Sequence, residues 1–156
     1  MLFHTFLYLH VIGAIIAFGP IFTFPILGAM IGSEPQHGNF GIRFNHKVAR
    51  GIIVPMVGFQ GLTGLGLIIT SGVNLTKAPW LGVGIILYLV LYSIGLFILT
   101  PATNRLAELT SSPPPPGAAG PPPEVQALAA RSRIFGIVAI VLVVVIVFLM
   151  VIKPGA

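Results

Sequence analysis

Apolar positions dominate this chain in four long stretches that contain no Asp, Glu, Lys or Arg: Met1–Ser33, Gly51–Thr76, Ala78–Asn104 and Ile134–Ile152. The 8 basic and 3 acidic residues fall in the short gaps between and after them. Within the stretches no period-2 alternation appears, and the fourth is nearly all Ile, Val, Leu and Phe. A segment apolar around its whole circumference is a buried or lipid-facing helix. At about 1.5 Å rise per residue, roughly 20 such residues cross roughly 30 Å of hydrocarbon. The pattern therefore predicts an all-α membrane protein, a four-helix bundle with spans at about 2–32, 51–73, 79–100 and 134–152. With 7% charged residues and a mean hydropathy of +1.04, nothing is left for a separate soluble domain, so residues 1–156 read as one membrane domain.

Proline and glycine modulate the spans. Pro20 and Pro25 are expected to kink the first helix, and Pro55 to bend the second. Gly13 with Ala17, and Gly28 with Gly32, recur at the four-residue spacing that lets a neighbouring helix approach. Gly58, Gly61, Gly64 and Gly66, with Gln60 and Thr63 among them, make the second helix the central, protein-facing one. The first stretch has no Lys or Arg ahead of its apolar run and is too long for a signal peptide, so it reads as a mature helix. Residues 111–124, from Ser111 to Glu124, are proline-rich. Proline runs extend at about 3.1 Å per residue, more reach than two adjacent helix ends need. The segment reads as a flexible loop, with a docking strip for a partner as the alternative.

Charge sets the orientation. With four spans, Arg43, Lys47, Arg50, Arg105, Arg131 and Arg133 share one side, and Lys77 and Lys153 the other. That bias places both longer loops in the cytoplasm and both termini outside, in a plasma membrane. Trp80 then sits at the outer interface, where an amphipathic ring is favoured. Phe40, Phe44 and Val48 are spaced by four, with Arg43, Lys47 and Arg50 on the adjoining face. This is an amphipathic turn suited to lipid headgroups, anionic ones above all, or else a plain extension of the second helix bearing a stop-transfer charge cluster. The basic residues cluster at helix ends rather than on one face, which excludes a nucleic-acid surface.

Candidate chemistry is sparse. The chain has no Cys, which removes thiolate metal sites and Cys nucleophiles. No carboxylate lies inside a span, no His pair is spaced for zinc, and Ser93 has no neighbouring base, so no catalytic residue is assigned. His10 is the one ionisable group within hydrocarbon, about 10 Å deep, and such groups are expensive there unless they serve a purpose. Three readings of it compete. His10 forms a polar cluster with Gln60, Tyr88 and Tyr92 that ties helices together; or it is an axial ligand of a b-type haem; or it belongs to a metal or proton-relay site. His46 lies too near the opposite surface to share an iron with His10, which leaves Met150 as a second ligand at matching depth, a five-coordinate iron, or a histidine from a second copy of the chain.

The run Leu9-His10-Val11-Ile12-Gly13 followed by Gly19, together with the closing Phe148-Leu149-Met150-Val151-Ile152-Lys153-Pro154, resembles the small bacterial membrane proteins grouped around the copper-resistance D domain and the HemJ-type protoporphyrinogen oxidase. The resemblance implies a four-helix bundle in which the first-helix histidine, here His10, is a haem ligand. The chain lacks a Lys inside its third helix and a second His inside a later one, and has no Met- or His-rich tract that would select copper. The sequence expectation is therefore an accessory or scaffold protein, a subunit of an electron-transfer assembly. The alternatives are a haem b protein acting in electron transfer or porphyrin oxidation, and a permease for a small solute or metal acting as an oligomer. The expected partners are the bilayer and either a larger membrane complex or further copies of this chain.

Overall fold

The computed structural model describes residues 1–111 and 120–155. Most of the proline-rich segment, residues 112–119, lies outside the described residues, as does Ala156. Among the described residues every regular element is helical. Four helices are long and apolar enough to cross a membrane: α1 (Leu2–Ser33), α2 (Gly38–Ser71), α3 (Pro79–Leu109) and α4 (Pro123–Ile152). Short 3₁₀ turns at Pro35–His37 and Leu75–Lys77 join the first two pairs of neighbours. The helix count agrees with the apolar pattern, but α2 and α4 run 13 and 11 residues further at the basic end than the charge-free stretches Gly51–Thr76 and Ile134–Ile152, and α3 runs 5 further than Ala78–Asn104. The reason is that charge marks where hydrocarbon stops, whereas a helix with self-satisfied backbone continues past that boundary.

Three of the four helices change winding at one level. In α1 the segment Gly19–Thr23 tightens to 3₁₀, while Ala49–Ile53 of α2 and Gly95–Leu99 of α3 widen to π. Measured from the terminal end at about 1.5 Å per residue, all three lie roughly 25–33 Å down, at the far edge of the hydrocarbon. Proline accounts for each. Pro55 and Pro101 lack an N–H, and their rings crowd the carbonyls four residues back, at Gly51 and Phe97; the widened turn supplies the needed room. The Thr100 hydroxyl donates to the Gly95 carbonyl at 2.8 Å, and that of Thr23 to the Pro20 carbonyl at 2.7 Å, so carbonyls near both irregular turns gain partners. The expected bends at Pro20, Pro25 and Pro55 thus appear as changes of helical pitch.

Packing follows two seams, α1 along α2 and α3 along α4. The pairs join through a cluster of Ala17, Phe18, Ile21, Val57, Leu91, Ala139 and Val143, drawn from all four helices. Large apolar side chains cover the outside, with Leu62 70%, Ile69 71%, Ile86 62% and Val151 70% exposed. So much uncovered apolar surface is the mark of a lipid-facing exterior. At the terminal end the Lys153 ammonium lies 5.5 Å from the centre of the Trp80 ring, linking the ends of α3 and α4.

Candidate functional site

His10 sits on α1 facing the small-residue side of α2. Gly64 makes the approach possible: a Cβ built there would meet His10 Cε1 at 3.1 Å. Counted from the terminal ends of their helices, His10 and Thr63 are each about 12 Å deep. The Thr63 hydroxyl lies within 3.1 Å of the Phe59 and Gln60 carbonyls of its own helix and directs its single proton to them. Its oxygen therefore accepts from His10 Nδ1–H, at 3.0 Å. The amide nitrogen of Gln60 lies 3.0 Å from His10 Nε2 and donates to it. Both ring nitrogens are thus engaged, Nδ1 with the Thr63 hydroxyl and Nε2 with the Gln60 amide.

Gln60 is 5% exposed and Thr63 3%. The Gln60 side chain passes over Gly13, where a built Cβ would stand 2.8 Å from its Oε1. That oxygen is buried without a partner among the described residues. Gly13 of α1 and Gly64 of α2 therefore work as a pair, each clearing space for a polar side chain of the facing helix.

The tyrosines stand apart from this cluster. Tyr88 and Tyr92 of α3 stack with ring centres 6.2 Å apart. The Tyr88 hydroxyl donates to the Val57 carbonyl of α2 at 2.8 Å and lies against Gly61, where a built Cβ would come within 2.6 Å of it. The polar residues read from the sequence as one cluster form two: His10 with Gln60 joining α1 to α2, and Tyr88 with Tyr92 joining α3 to α2. Gly61 and Gly64 are close-approach points, as is Gly66, which faces the Phe6 ring; at Gly58 a Cβ would meet nothing within 4 Å. Met150 packs on Gly84, in the α3–α4 seam rather than beside His10.

At the basic end, Phe40 and Phe44 stack at 6.4 Å and are 66% and 48% exposed, with Arg43, Lys47 and Arg50 also exposed. This amphipathic turn is the first part of α2 and not a separate element. His46 Nε2 lies 2.8 Å from Asn104 Oδ1, joining α2 to α3, and Arg105 reaches Glu124 at 2.9 Å, joining α3 to α4. Sequence reasoning did not find Thr63 or Asn104 as partners. The available signal was depth: Thr63 matches His10, and Asn104 matches His46, when residues are counted from the terminal ends.

Residues 4–154 match the family model described as "Predicted integral membrane protein (DUF2269)". The chain belongs to that family. Membership extends over nearly all of the chain and includes both the His10 cluster and the basic end. It establishes an integral membrane protein; kinship with the copper-resistance D or HemJ-type groups is not part of that finding. No curated protein and no solved structure matches the chain.

Proposed function

We propose that this protein is a non-catalytic accessory or scaffold subunit of a plasma-membrane assembly, with both termini outside and His10 acting as a strut between α1 and α2. The observation that carries the reading is the double engagement of the imidazole. Thr63 holds Nδ1–H and Gln60 holds the Nε2 lone pair, the atom an iron would need. A strut is what buried polar groups between membrane helices supply, typically about 0.6 kcal/mol per hydrogen bond. The middle of the bundle is filled by Ala17, Phe18, Val57, Leu91 and Ala139, which favours a solid support over a permeation path. An external apolar surface on all four helices leaves ample area for a membrane partner, in an electron-transfer assembly or another complex.

The haem b alternative has one point in its favour. Thr63 already orients His10 with Nε2 as the acceptor, so displacing the Gln60 side chain would free that lone pair for a metal. An absorption spectrum of protein purified in mild detergent separates the readings. The strut reading expects no Soret band, and larger membrane proteins that co-purify and are lost when Pro113 to Pro123 is deleted. A Soret band that vanishes in His10→Ala would overturn it in favour of haem, and isolation without any partner from native membranes would contradict the accessory role.

A further inference from the structure

Between α2 and α3 at the basic end lies an open cavity of about 460 Å³, lined by His46, Arg50, Asn104, Ala107, Glu108 and Ser111. The terminal-end-to-basic-end height of each residue follows from the helical rise. Arg50 stands about 31 Å down α2, at the edge of the hydrocarbon, and Glu108 of α3 about 12 Å further out. His46 and Asn104 stand between them, joined by their 2.8 Å hydrogen bond. The cavity therefore presents a cation nearest the acyl chains and a carboxylate further toward water. A glycerophospholipid with an amino headgroup carries its charges in the opposite and complementary order, phosphate inside and ammonium outside.

We propose that this cavity binds the headgroup of a phosphatidylethanolamine molecule. Arg50 takes the phosphate, in the charge-assisted geometry that guanidinium groups favour. Glu108, whose Oε2 lies 3.4 Å from the Arg105 guanidinium of the same helix, takes the ammonium on its other carboxylate oxygen. Asn104 Oδ1 can only accept, so His46 Nε2 donates to it, and the Asn104 amide N–H groups remain available to a second phosphate oxygen. The exposed Phe40 and Phe44 on the same helix place this end of α2 among lipids. Arg43 and Lys47 do not line the cavity, and they supply general attraction to headgroups rather than selection. An anionic lipid such as phosphatidylglycerol would satisfy Arg50 but bring no cation to Glu108, and a quaternary ammonium headgroup lacks the N–H donors that Glu108 accepts. The selection rule is thus a phosphate together with a primary amine.

The test is native mass spectrometry of the full chain, loaded with equal amounts of phosphatidylethanolamine, phosphatidylglycerol and phosphatidylcholine of matched acyl chains. The expected result is about tenfold preferential retention of phosphatidylethanolamine, equivalent to roughly 1.4 kcal/mol. Arg50→Gln should weaken retention of all three lipids, whereas Glu108→Gln should abolish only the preference for the amine; Arg43→Gln should leave that preference unchanged. Competition by soluble glycerophosphoethanolamine would show that the headgroup alone is recognised, while its failure to compete would assign recognition to the intact lipid. Circular dichroism of each variant distinguishes lost binding from lost folding, and charge-reversed Arg50→Glu/Glu108→Arg, which keeps both charges but inverts their order, should fold and lose the preference. Equal retention of the three lipids by the native chain, or an amine preference that survives Glu108→Gln, would overturn the proposal.

Discussion

A single imidazole in hydrocarbon is stable here because three residues of the facing helix are arranged around it: Gln60 and Thr63 bond its two nitrogens and Gly64 makes room for the ring. His10→Ala would leave the Gln60 amide buried and unpaired, and an orphaned polar group costs about 1–3 kcal/mol. Thr63→Val, which keeps the shape but removes the acceptor of Nδ1–H, should cost about 0.6–1.7 kcal/mol. Both losses should appear as lower unfolding midpoints in mild detergent, with His10→Ala the larger; equal midpoints for the three proteins would deny the strut. The glycines separate in the same measurement. Gly61→Leu would push Tyr88 off the Val57 carbonyl and should destabilise by about 1–3 kcal/mol, whereas Gly58→Ala, with open space around it, should be neutral or gain up to about 1 kcal/mol in helix propensity. Glycine spacing along α2 predicts a close-approach helix but not which glycines are used, because rotation about the axis decides that, and nothing in a one-dimensional pattern fixes rotation when every face is apolar. The same lack of an amphipathic stripe explains why His10, Gln60, Tyr88 and Tyr92 read as one group from depth and separate into two in space.

At the scale of elements, the prolines set the pitch and the pitch sets which side chains meet below it. A π turn carries one more residue per turn than an α turn, so removing it rotates everything beyond by roughly 100°. In Pro101→Ala the cause of the Gly95–Leu99 widening is gone, and the basic end of α3 should turn away from α2. His46→Cys with Asn104→Cys, in a chain that has no native Cys, gives a unique cross-linking pair across the 2.8 Å contact. Cross-linking by a short bifunctional reagent should be efficient in the parent and fall severalfold with Pro101→Ala added; unchanged yield would show that the widened turn does not position the site. Charge placement gave the spans within a few residues at the terminal end, where Leu2, Ser71, Pro79 and Ile152 close the helices. Charge placement by itself stops short of the basic-end extensions, because Arg, Lys and Glu are good helix formers once they have water to point at; the extension of the second helix over Phe40–Val48 is one of the two readings the sequence offers for that run.

For the molecule as a whole, two helix pairs joined at their middle and tied again at the basic end by His46–Asn104 and Arg105–Glu124 make an asymmetric object: bare apolar walls toward the termini, polar links at the opposite end. The positive charge bias and the level of the altered helical turns place the same membrane boundary at that opposite end. The burial of His10 in hydrocarbon and the level of the cavity both depend on those four crossings. The most direct test is labelling of single introduced cysteines in intact cells with a membrane-impermeant thiol reagent. Asn74→Cys and Gly155→Cys should react from outside; Gln36→Cys and Ser111→Cys should react only after the cells are opened. Leu62→Cys, Ile86→Cys and Val141→Cys, each on an outer surface of the bare protein, should stay unlabelled in the membrane and react once it is denatured in detergent. Ready labelling of those three positions in the intact membrane, or of positions 36 and 155 from the same side, would contradict the four-crossing arrangement.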